Sequence, residues 1–409
     1  MGSAFLLFAG GINALILPVR GAGEGFSSFT LGLLGTSWAT GHVLGCVLTS
    51  RLVARVGHIR SFSVMCALAG LAVLTSLLFI TPWAWIPARA VSGFCFAGAA
   101  MIVEGWLSER ADQSSRGTLF GVYMTCNLFA TTAGQMVITL GDPMGFVFFV
   151  LAAMFYMLAL IPTAVSSSVS PQPLVSIRLD LGELYRRSPV SVVAALFVGI
   201  SNGAFGTLAA VYATGVGLSL STVALFASVP VLSGALVQLP TGLISDRVDR
   251  RGVLVGTAIM ALAADLTFIA IQPTEPFEAL AAVAILGAGI FTMYPLLVAH
   301  ANDHASPETY VLTSGGLLLV FGIGAICGPL IAGALMQVLG LHGLFLTTAS
   351  AHVVIIGYTL WRMTIRKAVS GDQKSTFVFH SPTRSQTPQT DTLAPLGAEA
   401  EEETAAPAS

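Results

Sequence analysis

Two ionisable residues, Arg89 and Glu104, stand within one long apolar stretch, Ala84–Leu107. Charge inside an apolar run of bilayer length is costly and tends to mark ion or substrate chemistry. In a helix Arg89, Gly93, Ala97, Ala100 and Glu104 follow steps of three and four and share one face. At 1.5 Å rise per residue the two charges lie about 22 Å apart, too far to pair. The small residues between them suit close helix packing or a path for cargo. Arg89 reads as a fixed positive charge beside a cavity, or as an arginine reaching up to the interface. Glu104 reads as a titrating carboxylate or gate partner, or as a solvated helix-end acid balancing Arg110 or Arg116. Asp265, inside another apolar stretch, would meet lipid unless it turns inward, and a structural or protonated role is expected for it. His42 and His352 are candidate proton carriers, because histidine titrates near neutral pH, although a neutral hydrogen-bonded histidine is the commoner case.

A second set is polar without formal charge. Tyr123, Asn127, Thr131 and Gln135 recur every four residues, and such a stripe can bind a polar cargo or hold helices together. Asn13, Asn202 and Tyr294 supply similar groups elsewhere. No catalytic set is visible: HExxH and a P-loop lysine are missing, and the only lysines are Lys367 and Lys374. The chain is therefore not expected to be an enzyme, to use a cofactor or metal, or to drive transport with ATP on its own. Cys46, Cys66, Cys95, Cys126 and Cys327 all fall in apolar stretches with no CxxC pair, and read as small buried apolar residues.

The elements that must position these groups follow from composition. The chain has 409 residues, 55% hydrophobic and 9% charged, with a mean hydropathy of +0.84. A soluble domain carries about 25% charge, so this chain needs an apolar solvent and the lipid bilayer supplies it. A net charge of -2 gives no reason to expect nucleic acid. About twelve segments approach the roughly 20 apolar residues of a bilayer span. They are Ser3–Leu17, Phe29–Ala54, Phe62–Ile80, Ala84–Leu107, Gly117–Leu140 and Phe146–Ala164, then Val190–Ala213, Ser219–Ile244, Gly252–Ile271, Phe277–His300, Thr309–Leu339 and Gly343–Met363. The first reads as a short span rather than a cleaved leader. The expected organisation is an N-terminal six-helix bundle (1–165), a linker (166–189), a C-terminal six-helix bundle (190–365) and a disordered tail (366–409) of Ser, Thr, Pro and acidic residues.

Arginine placement orients the chain. With the loops carrying Arg55 and Arg247 inside, inside loops also hold Arg51, Arg60, Arg110, Arg116, Arg178, Arg186, Arg187, Arg250, Arg251, Arg362, Arg366 and Lys367, against Arg20 alone outside. Both termini are then cytoplasmic, Arg89 lies near the outer end of its span and Glu104 near the inner end. Trp83 and Trp85 fall where an outer aromatic belt is expected.

Matching places in the two halves carry one signature: GCVLTSRLVARVGHIR from Gly45 and GLISDRVDRR from Gly242. Duplicated halves around a central site are a common transporter plan. The chain here resembles the major facilitator superfamily, whose loop signature is G-x-x-x-D-R-x-G-R-R. The C-half copy keeps Gly242, Asp246, Arg247, Arg250 and Arg251, with Asp249 for the second glycine. The N-half copy keeps Arg55, Gly57 and Arg60, with Ala54 at the aspartate position and His58 at an arginine position. Arg89 and Gly93 fit a further R-x-x-x-G pattern. Stretches such as LPVRGAGEGFS, MIVEGWLSERA and YPLLVAHAND are similar to the YcaD-like branch, over roughly residues 1 to 365.

The resemblance implies an all-α membrane protein with twelve transmembrane helices in two pseudo-symmetric bundles, in a bacterial inner membrane. It implies secondary active transport of a small organic solute by alternating access, coupled to protons through Arg89 with Glu104 or a histidine, by a monomer. It places Asn13, Asn127, Gln135, Asn202 and Tyr294 on cavity-lining spans. It also lets Asp246 brace the closed inner gate against the start of span five, around Ser115, Arg116 and Gly117; a local pair with Arg250 or Arg247 is the other reading. Span five carries no proline, unlike the superfamily's antiporter signature, which disfavours a drug–proton antiporter. A transporter-shaped sensor that binds ligand without flux is the alternative function.

Overall fold

The computed structural model describes residues 2–110, 116–164, 181–306, 309–367, 369, 374, 375, 377, 378 and 386–390. The described residues form helices and no strand. In order they are α1 (Gly2–Gly23), α2 (Ser28–Val56), α3 (His58–Leu78), α4 (Pro82–Arg110), α5 (Arg116–Val137), a 3₁₀ turn (Ile138–Leu140), α6 (Val147–Leu158), α7 (Leu160–Ala164), α8 (Leu181–Arg187), α9 (Pro189–Gly215), α10 (Leu220–Arg247), α11 (Arg250–Ala270), α12 (Pro276–Asn302), α13 (Tyr310–Leu339) and α14 (Gly343–Ile365).

Counting α6 and α7 as one broken span, and setting aside the short α8, the helices match the twelve expected segments. Ten are long and apolar enough to cross a membrane unaided. The other two have visible reasons for falling short. The polar stripe dilutes α5, and the sixth span breaks at Ala159 into α6 and α7. The linker expected over 166–189 lies outside the described residues up to 180; its last part is α8.

The two halves use the same local devices. Ser27 caps α2 by accepting from Thr30 N, and Ser219 caps α10 by accepting from Thr222 N. Helix pairing repeats as well. In the first half α1 packs on α5, α2 on α4, and α3 on α4 and α6. In the second, α9 packs on α13, α10 on α12, and α11 on α12 and α14. The closest approach in the first half needs glycine. A Cβ on Gly41 would stand 1.9 Å from the Ala90 carbonyl oxygen, and one on Gly93 would stand 2.0 Å from that of Trp38. The small residues between Arg89 and Glu104 therefore serve helix packing, not a cargo path.

The halves meet through α2 against α13, α5 against α10, and α1 and α2 against α9. Near the start of α2 and the end of α13, a Cβ on Gly32 would be 2.3 Å from the Pro329 carbonyl oxygen, and Thr36 Oγ1 donates to Ile326 O at 2.8 Å. Ser228 Oγ donates to Gln135 Oε1 at 2.7 Å across the α10–α5 seam. All these contacts lie toward the end that carries the α1–α2 and α9–α10 connections. Toward the opposite end, Gly117 and Gly121 of α5 face open space.

Three expectations need correction. Trp83 is 86% exposed and suits a belt, but Trp85 is fully buried and donates its indole N–H to Ser76 O at 2.8 Å, so it belongs to the core. Cys126 is exposed rather than buried; all five cysteines are free. The tail is not wholly without packed structure, because residues 374, 375, 377, 378 and 386–390 lie against the helices. Composition missed this because docking there runs mainly through hydroxyls and a single phenylalanine. The rest of the tail lies outside the described residues.

Candidate functional site

Between the halves lies a cavity of about 140 Å³. Arg89 and Phe96 of α4 project into it, with Asn13 of α1, Trp38 of α2, Asn127, Thr131 and Gln135 of α5, and Tyr156 of α6. The C-half contributes Phe205, Thr207 and Phe291 among others. The wall is thus mostly aromatic and apolar, with carboxamides and one guanidinium converging on it, as small-molecule sites are built.

Arg89 is 6% exposed, its Cζ sits 6.0 Å from the Trp38 ring centroid, and its Nε makes no hydrogen bond among the described residues. Asn13 Oδ1 and Asn127 Oδ1 are likewise buried without a hydrogen-bond partner among the described residues. Buried polar atoms are nearly always partnered, so several orphans around one cavity leave bonding capacity there that water or a solute would complete. Arg89 is therefore no interface-seeking side chain.

Other expected cavity residues lie elsewhere. Tyr294 is buried in the core of the second half, its ring 5.3 Å from that of Phe321. Asn202 donates to Ile290 O at 3.4 Å and lines a smaller neighbouring cavity of about 40 Å³, with Trp38, His42, Cys46, Phe321 and Pro388. Tyr123 leaves the polar stripe and donates to Glu104 Oε1 at 3.1 Å. Depth along a span was readable from sequence; rotation about the helix axis was not.

Glu104 does not share the central cavity with Arg89. It is 1% exposed and receives hydroxyls from Tyr123, from Thr390 at 3.0 Å and from Thr387. It is not a solvated helix-end acid.

The C-half signature loop forms a charged cluster at the end opposite the Thr36–Ile326 and Gln135–Ser228 seam contacts. Arg250 is buried, pairs with Asp246 at 2.9 Å and Asp303 at 2.8 Å, and donates to Ser245 Oγ at 3.0 Å. Arg251 pairs with Asp249 at 2.8 Å and donates to Arg366 O at 2.8 Å. Asp249 also caps α11; burial would raise its carboxyl, but the hydrogen bonds and charge of Arg251 outweigh that and hold it below the usual carboxylate range. Asp246 thus makes the local pair in this state, and Ser115 of its other proposed target lies outside the described residues. Arg247 and Arg55 are exposed. Gly57 takes a positive φ of 85° at the α2–α3 junction, and Gly45 packs on Phe94 of α4.

One constellation escaped the sequence. Asp265 turns inward, accepts from Thr348 Oγ1 at 2.7 Å and pairs with His352 Nδ1 at 2.7 Å, while Ser201 Oγ lies 3.0 Å from His352 Nε2. Ser, His and Asp thus stand in the order of a hydrolase triad. All are buried between α9, α11 and α14, however, and none lines either cavity. The cluster ties three helices together. Ser201 carried a signal in the sequence, the GxSxG pattern of Gly199, Ser201 and Gly203. That pattern lies here inside a buried helix, and its histidine and aspartate partners are far away in sequence.

A family model described as Major Facilitator Superfamily matches residues 1–315 and again 191–394. The chain is 27% identical over 361 residues to an uncharacterized MFS-type transporter, YcaD, of Escherichia fergusonii, covering 87% of this chain and 92% of that one. A similar MFS-type transporter of an Enterobacter species is 27% identical over 375 residues, covering 90% and 94%. In fold the chain is similar to the nucleoside transporter NupG, with a TM-score of 0.74 at 15% identity, over 89% of this chain and 98% of that one. It is also similar to a bacterial homologue of the lysosomal transporter Spinster in an inward-facing, occupied conformation, with a TM-score of 0.72 at 14% identity, over 91% and 97%.

Proposed function

Because this chain belongs to the major facilitator superfamily, in its YcaD-like branch, and is a secondary transporter of the multi-pass inner-membrane type, we propose that it moves a small organic solute by alternating access through the central cavity. The observation that carries the reading is the set of orphan polar atoms, Arg89 Nε, Asn13 Oδ1 and Asn127 Oδ1, around that cavity. A solute bearing an anionic or strongly accepting group would meet Arg89. The carboxamides of Asn13, Asn127 and Gln135 would bind its polar edge, and the aromatic wall its faces. A nucleoside, the cargo named for NupG, belongs in the first screen.

The moving bodies are the halves at 1–165 and 190–365, rocking about the cavity. The Thr36–Ile326 and Gln135–Ser228 contacts would break as the closed end opens. Both termini and the signature loops are cytoplasmic in this reading, so the closed end is the outer one and the arrangement faces inward. The protein acts as a monomer, and no nucleic acid takes part. Cysteine placed at Gly141 or Gly215 in a cysteine-free background is expected to react with an impermeant maleimide added outside. Labelling from the cytoplasmic side alone would reverse the orientation.

Coupling is to protons, with Glu104 or a histidine as the titrating group and Arg89 as the fixed charge. Supporting this, Glu104 is a buried carboxylate held by hydroxyl donors. Glu104→Gln is expected to flatten the pH dependence of transport while the protein still inserts. An unchanged pH profile would remove Glu104 from the coupling. The alternative, a ligand-binding sensor without flux, is separated by solute flux into proteoliposomes.

A further inference from the structure

The inner vestibule holds part of this chain. Gln386, Thr387, Gln389 and Thr390 are each buried to 3% exposure or less, although none is apolar. Their burial is supported by bonding. Thr387 and Thr390 donate their hydroxyls to the Glu104 carboxylate. Thr387 N donates to Thr390 Oγ1 at 2.9 Å and Gln389 N to Thr387 Oγ1 at 3.2 Å, so the segment is folded into a turn over that carboxylate. Pro388 enters the smaller cavity beside Trp38, His42 and Cys46.

The same tail is anchored on the other half. Lys374 Nζ donates to the carbonyls of Ser245 at 3.2 Å and Asp246 at 3.3 Å, where α10 leaves its last carbonyls without helical partners. Ser375 N donates to Asp303 Oδ1 at 2.8 Å, and Arg250 donates to Ser375 O. Phe377 packs on Leu296 and Ala299, and fills the space where a Cβ on Gly242 would come within 2.5 Å of its ring. The described tail residues therefore touch α10 and α12 of the second half and α4 and α5 of the first, at the end opposite the Thr36–Ile326 and Gln135–Ser228 contacts.

We propose that the inner vestibule is a binding site for a short hydroxyl- and proline-bearing peptide, and that Gln386–Thr390 of this chain occupies it as a tethered plug. Closing that end of the transporter requires the plug to leave, because its turn lies between the surfaces that would meet. The docked tail thus favours the inward-facing arrangement and covers the route from the vestibule. A tether keeps the plug at millimolar-order effective concentration, so weak contacts suffice, and any factor that captures the tail would release the carrier. The consequence for transport rests on the proposed function; the docking itself does not.

The test needs no solute. Cys46 lines the cavity that Pro388 enters, so a variant keeping Cys46 as its sole cysteine reports on the plug. In detergent or nanodiscs, the rate of labelling by a small charged maleimide is compared between the full chain, a chain ending at Lys367, and a full chain carrying Thr387→Val and Thr390→Val. Both altered chains are expected to label at least about tenfold faster, about 1.4 kcal/mol of lost protection. A synthetic peptide spanning Gln386–Thr390 at millimolar concentration should slow the truncated chain again. A parallel variant keeping only Cys66, in the core of the first half, should label equally slowly throughout. Equal Cys46 rates in all three chains would overturn the proposal, as would acceleration of Cys66 together with Cys46, which would mean general loosening. If the truncated chain fails to fold, the double valine variant decides alone. A null result here leaves solute transport standing, and a transport failure leaves the labelling result standing.

Discussion

Arg89→Ala is expected to weaken solute binding by between about ten- and 150-fold, the equivalent of about 1.5–3 kcal/mol for hydrogen bonds to a charged group. The arginine is buried beside Trp38 with Nε unpartnered, at a cavity whose other polar side chains are carboxamides and hydroxyls, with no carboxylate in the lining. The Trp38 ring is a weak partner for a buried guanidinium whose Nε stays unbonded, so the same variant should lower the melting temperature of the empty protein little. That pairing of outcomes separates a binding role from a structural one. Arg89→Lys should recover part of the affinity, since an ammonium keeps the charge but lacks the planar fork. Binding is read by thermal shift with whichever compound a screen shows to stabilise the wild type. Undiminished binding by Arg89→Ala would remove Arg89 from the site; a large loss of stability without ligand would make it structural.

Asp265→Ala should act in the opposite way, costing about 1–3 kcal/mol of stability, as leaving a buried donor without its acceptor does. His352 Nδ1 would lose its acceptor in a region closed to water, Thr348 Oγ1 would keep only the longer bond to Phe345 O at 3.2 Å, and Ser201 would lose the orientation of its histidine partner. Asp265→Asn keeps an acceptor and should cost less. The measurement is the melting temperature of purified protein, followed by a tryptophan-independent probe. A melting temperature unchanged in Asp265→Ala would show that the cluster ties nothing together.

These two residues also mark what the sequence could disclose. Both were visible as charges in apolar runs, and the spans around them were readable because a bilayer demands about 20 apolar residues at a time. The fold class followed from those runs and the repeated loop signature. Arg89 could be placed at a cavity because the resemblance carried its neighbourhood with it. The facing of Asn202 and Tyr294 could not be read, because helix rotation is set by packing against partners far away in sequence. The Asp265–His352–Ser201 cluster could not be read for the same reason. Lys374, Ser375 and Gln386–Thr390 were opaque for another: hydroxyls and amides that dock on one carboxylate and a few helix-end carbonyls have the composition of a segment that docks on nothing.

Solute counterflow tests alternating access most directly. Proteoliposomes loaded with a compound that stabilises the wild-type protein are diluted into a trace of the same compound carrying a radiolabel, with no ion gradient imposed. Alternating access through the Arg89 cavity predicts transient accumulation of label by the wild type and none by Arg89→Ala. Saturable binding of the compound with no accumulation by the wild type would contradict transport and leave the ligand-binding sensor in its place.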